Sequence, residues 1–237
     1  MNLLTSPIGN QKISKGLAYD HATYILHFAP HKLSGHNVCT HASRGCIIGC
    51  LNTAGHGGIF KAGETTNAIQ LARIRRTRLF FDDKATFFDQ LIADITLAQK
   101  QAARKGLKLS IRLNGTSDIV WERKRIPSGG YMGMTIFEVF PAVTFYDYSK
   151  IPNRKPPANY HLTFSKADGN EGNVQKAIAS RQNVAVVFRG ALPPFYLGLP
   201  VISGDDSDLR FLDPAGHIIG LTAKGRAKKD TSGFVVN

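Results

Sequence analysis

The sequence predicts an α/β protein: a partial barrel of about six parallel strands, with a long cysteine-bearing loop and a C-terminal hairpin. Three observations carry this. Short apolar runs recur along the chain, and each ends in polar residues. Helical stretches lie between several of the runs, which is the pattern of parallel βα units. The chain has 237 residues, short of the roughly 250 that a closed eight-stranded barrel takes. An open doubly wound sheet is the competing arrangement.

Residues 1–21 mix Gly, Ser, Asn and Lys and read as an irregular arm, with one domain over 22–237. Residues 22–28 alternate as a first strand, and Pro30 ends it. Residues 31–66 form a long loop that holds all three cysteines, seven glycines and four of the eight histidines. A loop of that length inside a compact domain is usually functional or disordered, and the clustering of special residues favours function. Helices follow at 67–81 and 84–105, the second with Phe88, Leu91, Ile92, Ile95, Ala98 and Ala102 at helical spacing and Gly106 beyond. Strand-like runs then occupy 107–113, before Asn114 and Asp118, and 142–146, before Asp147 and Lys150. Two more occupy 160–164, before Ser165, Lys166 and Asp168, and 184–188, before Arg189. Val201 and Ile202 precede Gly204, Asp205 and Asp208. Helical stretches lie at 135–140 and 172–181, and the prolines of 151–158 mark a surface connector. Residues 209–213 and 217–222 flank Pro214-Ala215-Gly216 and read as the hairpin.

The formal charge is +13, from 30 Lys and Arg against 17 Asp and Glu. This excludes an acidic solvating protein and favours polyanionic partners. The basic residues form blocks: Arg73, Arg75, Arg76 and Arg78; Arg123, Lys124 and Arg125; Lys224, Arg226, Lys228 and Lys229. In the first block, pairs three residues apart share a helix face. Phosphate contact with a nucleic acid or nucleotide is the functional reading, and a solvated face the plain one. The single Trp121 reads as core. No apolar run approaches 18 residues and no signal-like apolar core opens the chain, so a reducing cytoplasmic setting without a membrane is expected.

The cysteines, Cys39, Cys46 and Cys50, are spaced C-x6-C-x3-C. An odd number in one short window makes a poor disulfide framework. Three thiolates are one short of a structural zinc site or a fully protein-ligated iron–sulfur cluster. Either His31, His36, His41 or His56 completes a Cys3His zinc site, or a [4Fe–4S] cluster keeps one iron open. Zinc pairs begin with two to four intervening residues. The longer gap, with Gly45 and Gly49, suits a loop wrapped around a larger object, glycine allowing close approach and positive φ. Three inert buried thiols are the plain alternative. Polar residues at the strand tips of a barrel converge on one mouth. Asp118, Glu122, Asp147, Lys150, Asp168, Arg189, Asp205 and Asp208 are candidates for that rim, although each alone reads as a cap or a solvated charge. Asp147, between two tyrosines, and Asp205 are the candidates for substrate or proton handling, as a general base would be.

Asn2-Leu-Leu-Thr5, Ser34-Gly-His-Asn-Val-Cys39, Cys50-Leu-Asn-Thr-Ala54, Thr77-Arg-Leu-Phe-Phe81, Phe145-Tyr-Asp-Tyr148, Tyr160-His-Leu-Thr-Phe-Ser165 and Arg210-Phe-Leu-Asp-Pro214 carry a resemblance to the bacteriophage "gene product 88" family. The likeness spans nearly the whole chain, and the family name itself supplies little chemistry. More broadly, the chain resembles the radical S-adenosylmethionine (SAM) enzymes. In those, three cysteines in the loop after the first strand of a partial (βα)6 TIM-like barrel hold a [4Fe–4S] cluster to which SAM binds. That resemblance implies Cys39, Cys46 and Cys50 as cluster ligands. It also implies Asn114, Gly115 and Thr116, after the second strand, and Ser165 and Lys166, at the fourth strand tip, as SAM contacts. The superfamily spacing is C-x3-C-x2-C, and its Gly-Gly-Glu is missing here. The resemblance implies a 5′-deoxyadenosyl radical acting on a nucleic-acid base or nucleotide, as in DNA hypermodification, with a reductase or flavodoxin-type electron donor. The alternative is a non-catalytic nucleic-acid-binding protein with a structural zinc or iron–sulfur site.

Overall fold

The computed structural model describes residues 2–7, 15–53, 55–60 and 65–237. Its strands are β1 (Leu4–Thr5), β2 (His21–Leu26), β3 (Lys108–Arg112), β4 (Thr144–Ser149) and β5 (Tyr160–Ser165), then β6 (Val184–Phe188), β7 (Phe195–Tyr196), β8 (Leu199–Ser203), β9 (Ile218–Thr222) and β10 (Val235–Val236). The helices are α1 (Arg44–Ile48), α2 (Ala68–Asp82), α3 (Lys84–Ala103), α4 (Ile136–Val139) and α5 (Glu171–Ala179).

The strands form one sheet in the order β1-β2-β3-β4-β5-β6-β9-β8-β7, with β10 also on β6. Neighbours from β2 to β9 and from β9 to β8 run parallel, whereas β1 and β7 pair antiparallel with β2 and β8. Spatial order follows chain order from β1 to β6, as in barrel winding. A doubly wound sheet would instead reverse at a switch point. The sheet does not close, and β1 and β7 are its edges.

The pairing of β5 with β6 covers only Phe164↔Val184 and Ser165↔Ala185. Beyond it, β10 takes over, with Val235↔Val187 and Val236↔Phe188. Because β9 fills the whole opposite edge of β6, β10 is wedged in on the β5 side, at the rim.

The main core lies between α2, α3 and the β2–β4 part of the sheet. Phe28, Phe80, Phe87 and Trp121 pack there ring on ring, 5.1–6.2 Å between centroids. Full burial of such a side chain stabilises by about 1.5–3 kcal/mol. The α3 periodicity puts Phe88, Leu91, Ile95, Ala98 and Ala102 in this core as predicted. Asp83 ends α2 and caps α3, accepting the Thr86 amide at 3.1 Å. A second cluster joins α5 to β5, β6 and β9 through Val174, Val184, Val186 and Ile218.

Two expectations are corrected. Residues 209–222 are not a hairpin: Arg210–Leu212 is a 310 turn, and 218–222 is β9, a central parallel strand. A strand covered on both faces reads as a short apolar run with no partner marked nearby. The actual late hairpin is β7–β8, turning through Leu197 and Gly198, both at positive φ (51° and 79°). Nor is the arm irregular throughout, since Leu4 pairs with Leu26 and the Leu3 amide donates to Asp94 at 2.6 Å. No helix of the described residues is long and apolar enough to cross a membrane.

Candidate functional site

A cavity of about 240 Å³ opens at the carboxyl ends of the parallel strands, lined by all three cysteines. Each cysteine is brought there by a separate device. Cys39 follows Val38, whose carbonyl accepts the Asp118 amide at 2.8 Å and stitches the loop to the exit of β3. The Cys39 thiol accepts the His31 amide at 3.4 Å. Cys46 sits in α1, whose N-cap Ser43 accepts the Cys46 amide at 3.2 Å. Ser43 in turn donates its hydroxyl to Asp168, which also takes the Gly45 amide at 3.1 Å. Cys50 precedes Asn52, which Arg73 of α2 holds by its carbonyl at 3.3 Å and its side-chain oxygen at 2.5 Å.

The thiols sense one another. Burial pushes Cys39 up to about 11, with Cys50 and Cys46 adding to the rise. Burial likewise raises Cys50, and Cys46 adds to it. Lys150 lies among them. Burial opposes its charge, but Cys46 and Asp118 outweigh this and hold its pKa above the usual value. Its ammonium lies 5.9 Å from the Phe234 ring.

No histidine lines this cavity among the described residues. His36 stacks on Phe81 and faces Asp82 at 3.3 Å, His41 is exposed, and the His56 side chain lies outside the described residues. Among the described residues no three His, Cys, Asp or Glu are placed to hold a single metal ion.

Gly45 and Gly49 do something other than expected, because neither has positive φ. Protein packs against both. A Cβ on Gly45 would come within 2.0 Å of Ser232 Oγ and 2.5 Å of Phe234 Cβ, and one on Gly49 within 3.2 Å of Ala227. The glycines let residues 227–234 close over the cysteine loop.

Asn114, Gly115, Thr116, Ser165 and Lys166 all line the cavity, opposite and beside the thiols. The Asn114 side chain, however, is spent on its own loop. Its oxygen accepts Ser117 Oγ (2.8 Å), the Ile119 amide (2.8 Å) and Trp121 Nε1 (3.2 Å), while its amide donates to the Ile119 carbonyl at 3.0 Å. Thr116 donates to the Phe28 carbonyl at 2.6 Å. A Cβ on Gly115 would stand 2.5 Å from both His27 Nδ1 and Ile25 Cγ2. Glycine is required there, and it is backbone that this loop turns to the cavity. Lys166 donates to the Gly233 carbonyl at 3.2 Å.

Asp147 is corrected by its position. It is fully buried behind the wall and absent from the lining. Its carboxylate accepts the Leu113 and Asn114 amides (3.1 and 3.0 Å) and Tyr160 Oη (3.0 Å). Burial pushes it up to about 7 against Arg112 and these donors. It is a positioning residue for the β3 exit and does not touch the cavity.

Asp205 does line the cavity, paired with Lys224 at 2.5 Å and accepting the Thr222 amide at 2.8 Å. Burial works to raise its pKa, but these contacts hold it below the usual carboxylate value.

The α2 arginines are largely tethers. Beside Arg73 on Asn52, Arg76 binds the Asn2 carbonyl (3.0 and 3.1 Å) and Arg78, itself exposed, the Ser34 carbonyl (3.2 Å), while Arg75 is exposed. The expected basic face for nucleic acid on this helix is thus mostly spent on internal bonds. Arg226, Lys228 and Lys229 are exposed on the 310 turn Gly225–Lys229, beside the cavity-lining Ala227.

Of the other rim residues, Asp118 accepts Ser149 Oγ and the Lys150 amide, both at 2.8 Å, and Glu122 pairs with Arg154 at 2.5 Å. Arg189 donates to Asn237 and to the Lys228 and Asp230 carbonyls.

Sequence reasoning missed Arg112, which lines the cavity floor. It donates to Asp208 at 2.8 Å and lies against the Tyr146 and Tyr148 rings, 5.7 and 5.1 Å from their centroids. A lone arginine inside the apolar run 107–113 was its only signal. Ser43 and Phe234 carried none.

A family model described as Gene product 88 matches residues 2–237. The chain belongs to the Gene product 88 family. No curated protein and no solved structure shows a significant match. In this member of the Gene product 88 family, three thiols, four cations (Arg112, Lys150, Lys166, Lys224) and two carboxylates (Asp118, Asp205) share one cavity wall.

Proposed function

We propose that this is a radical SAM enzyme acting on a nucleic-acid base or nucleotide, of use to a phage in DNA modification. One observation carries the reading: Cys39, Cys46 and Cys50 all line a single cavity at the strand carboxyl ends. The donor set fits a [4Fe–4S] cluster with one open iron: three soft thiolate donors, and no histidine beside them among the described residues. Such a cluster, when bound, supplies the electron for reductive cleavage of SAM to a 5′-deoxyadenosyl radical.

The chain's own residues do the rest. Lys150 offsets the negative charge of the thiolates from within the wall. The Gly115–Thr116 backbone, Ser165 and Lys166 offer donors and acceptors for the polar ends of SAM. Tyr148, Val187, Leu221 and Phe234 exclude water around a reactive intermediate. The chain's formal charge of +13 favours a phosphate-bearing substrate.

The test is anaerobic reconstitution with iron and sulfide, followed by dithionite and SAM. Formation of 5′-deoxyadenosine is expected in the wild type, and Cys46→Ala should lose both the brown colour and the product. A colourless protein with one zinc would overturn the catalytic reading in favour of a structural metal site.

A further inference from the structure

We infer that Asp168 is a positioning residue that fastens the helix carrying Cys46 to the turn carrying Ser165 and Lys166. This rests on the reading above. The helix α1 has five residues, far below the about 12–15 at which a helix holds itself in water, so its hold comes from outside. Ala227 packs beyond its far end, against Gly49. At its start the two Asp168 oxygens are divided between two partners, one accepting Ser43 Oγ and the other the Gly45 amide at 3.1 Å. Ser43 in turn accepts the Cys46 amide at 3.2 Å. A half-buried carboxylate 123 residues further along the chain than Gly45 thus sets where Cys46 stands.

The other side of the clamp is itself locked. Asn170 accepts the Ala167 amide at 2.8 Å and donates to the Ser165 carbonyl at 2.9 Å. The Lys166 amide donates to the Ala185 carbonyl of β6 at 2.9 Å. Asp168 therefore projects from a fixed turn whose Ser165 and Lys166 line the cavity. Hydrogen bonds to an ionised acceptor are the strong ones, and through two of them the thiol wall and the polar wall become one unit. A carboxylate that only capped its own turn would leave the two walls independent.

The experiment labels the metal-free, full-length protein with a thiol reagent at one pH and follows Cys39 and Cys46 separately by peptide mass. Asp168→Asn keeps the shape but replaces one acceptor with an amide donor. Ser43→Ala removes the middle link, and Ser43→Thr keeps the hydroxyl. Asp168→Asn and Ser43→Ala should each speed labelling of Cys46 about tenfold, while Ser43→Thr behaves as wild type. Cys39, tied instead to the His31 amide, should keep its wild-type rate throughout. An unchanged Cys46 rate, or equal acceleration of Cys39 and Cys46, overturns the clamp. In the reconstituted protein with dithionite, Asp168→Asn at equal iron content should raise the KM for SAM several-fold, and an unchanged KM overturns the coupling of the two walls. Selective labelling in a wild type that makes no 5′-deoxyadenosine supports the clamp and sinks the catalytic reading alone.

Discussion

At the scale of single residues, the close approach at Gly45 is the tightest constraint on the cysteine loop. A methyl group there meets Ser232 Oγ, Phe234 Cβ and Asp168 Oδ1 at 2.0, 2.5 and 2.8 Å, and two of the three belong to the segment that closes the cavity. Gly45→Ala should therefore lower stability by about 1–3 kcal/mol and speed labelling of Cys46 by a thiol reagent. Thermal unfolding and labelling rates check this, and an unchanged labelling rate would show that the segment does not cover the loop. The sequence marked Gly45 as special for the wrong reason. Spacing shows that something approaches closely, and only the fold shows that it is protein more than a hundred residues away. Asp147 teaches the same lesson: an acid after an apolar run is either at a mouth or behind it, and periodicity does not tell which.

At the scale of elements, α2 is the strut of the site. Its length and position were legible, since Asn67 and Asp83 both bear capping side chains at the expected ends. The job of its arginines was not, because a basic helix face looks the same whether its partners are phosphates or the carbonyls of distant loops. The two uses separate by mutation. Arg73→Ala should cost about 1.5–3 kcal/mol by removing charged hydrogen bonds to Asn52 and should loosen Cys50. Arg75→Ala, at an exposed site, should stay within about 0.5 kcal/mol. Denaturant midpoints compare them, and equal losses would refute the tether. The strands divide similarly. The apolar run 184–188 coincides with β6, whereas β9 looked like half of a hairpin because its partners lie far away in sequence.

At the scale of the whole molecule, Asp205 joins three distant regions. Lys224 and the Thr222 amide hold its carboxylate, and its own carbonyl accepts Lys15 at 2.5 Å. Its pKa is lowered on folding, so the unfolded chain takes up the proton more readily. The stabilisation is present above the ordinary Asp value near 4 and is lost as pH falls through the folded value. The pair is partly exposed, so its worth is about 1 kcal/mol or less. The difference in melting temperature between wild type and Asp205→Asn should be largest near pH 7 and vanish in acid. A difference that grew on acidification would refute the assignment.

The wedged strand β10 bears on the order of events during synthesis. Ribosomes deliver Cys39, Cys46 and Cys50 long before Phe234 and Val235, and domains assemble from what has already emerged. For that interval the thiols have no outer wall. Under the proposed reading, a cluster inserted in that interval would meet a loop that Ala227 and Phe234 do not yet flank.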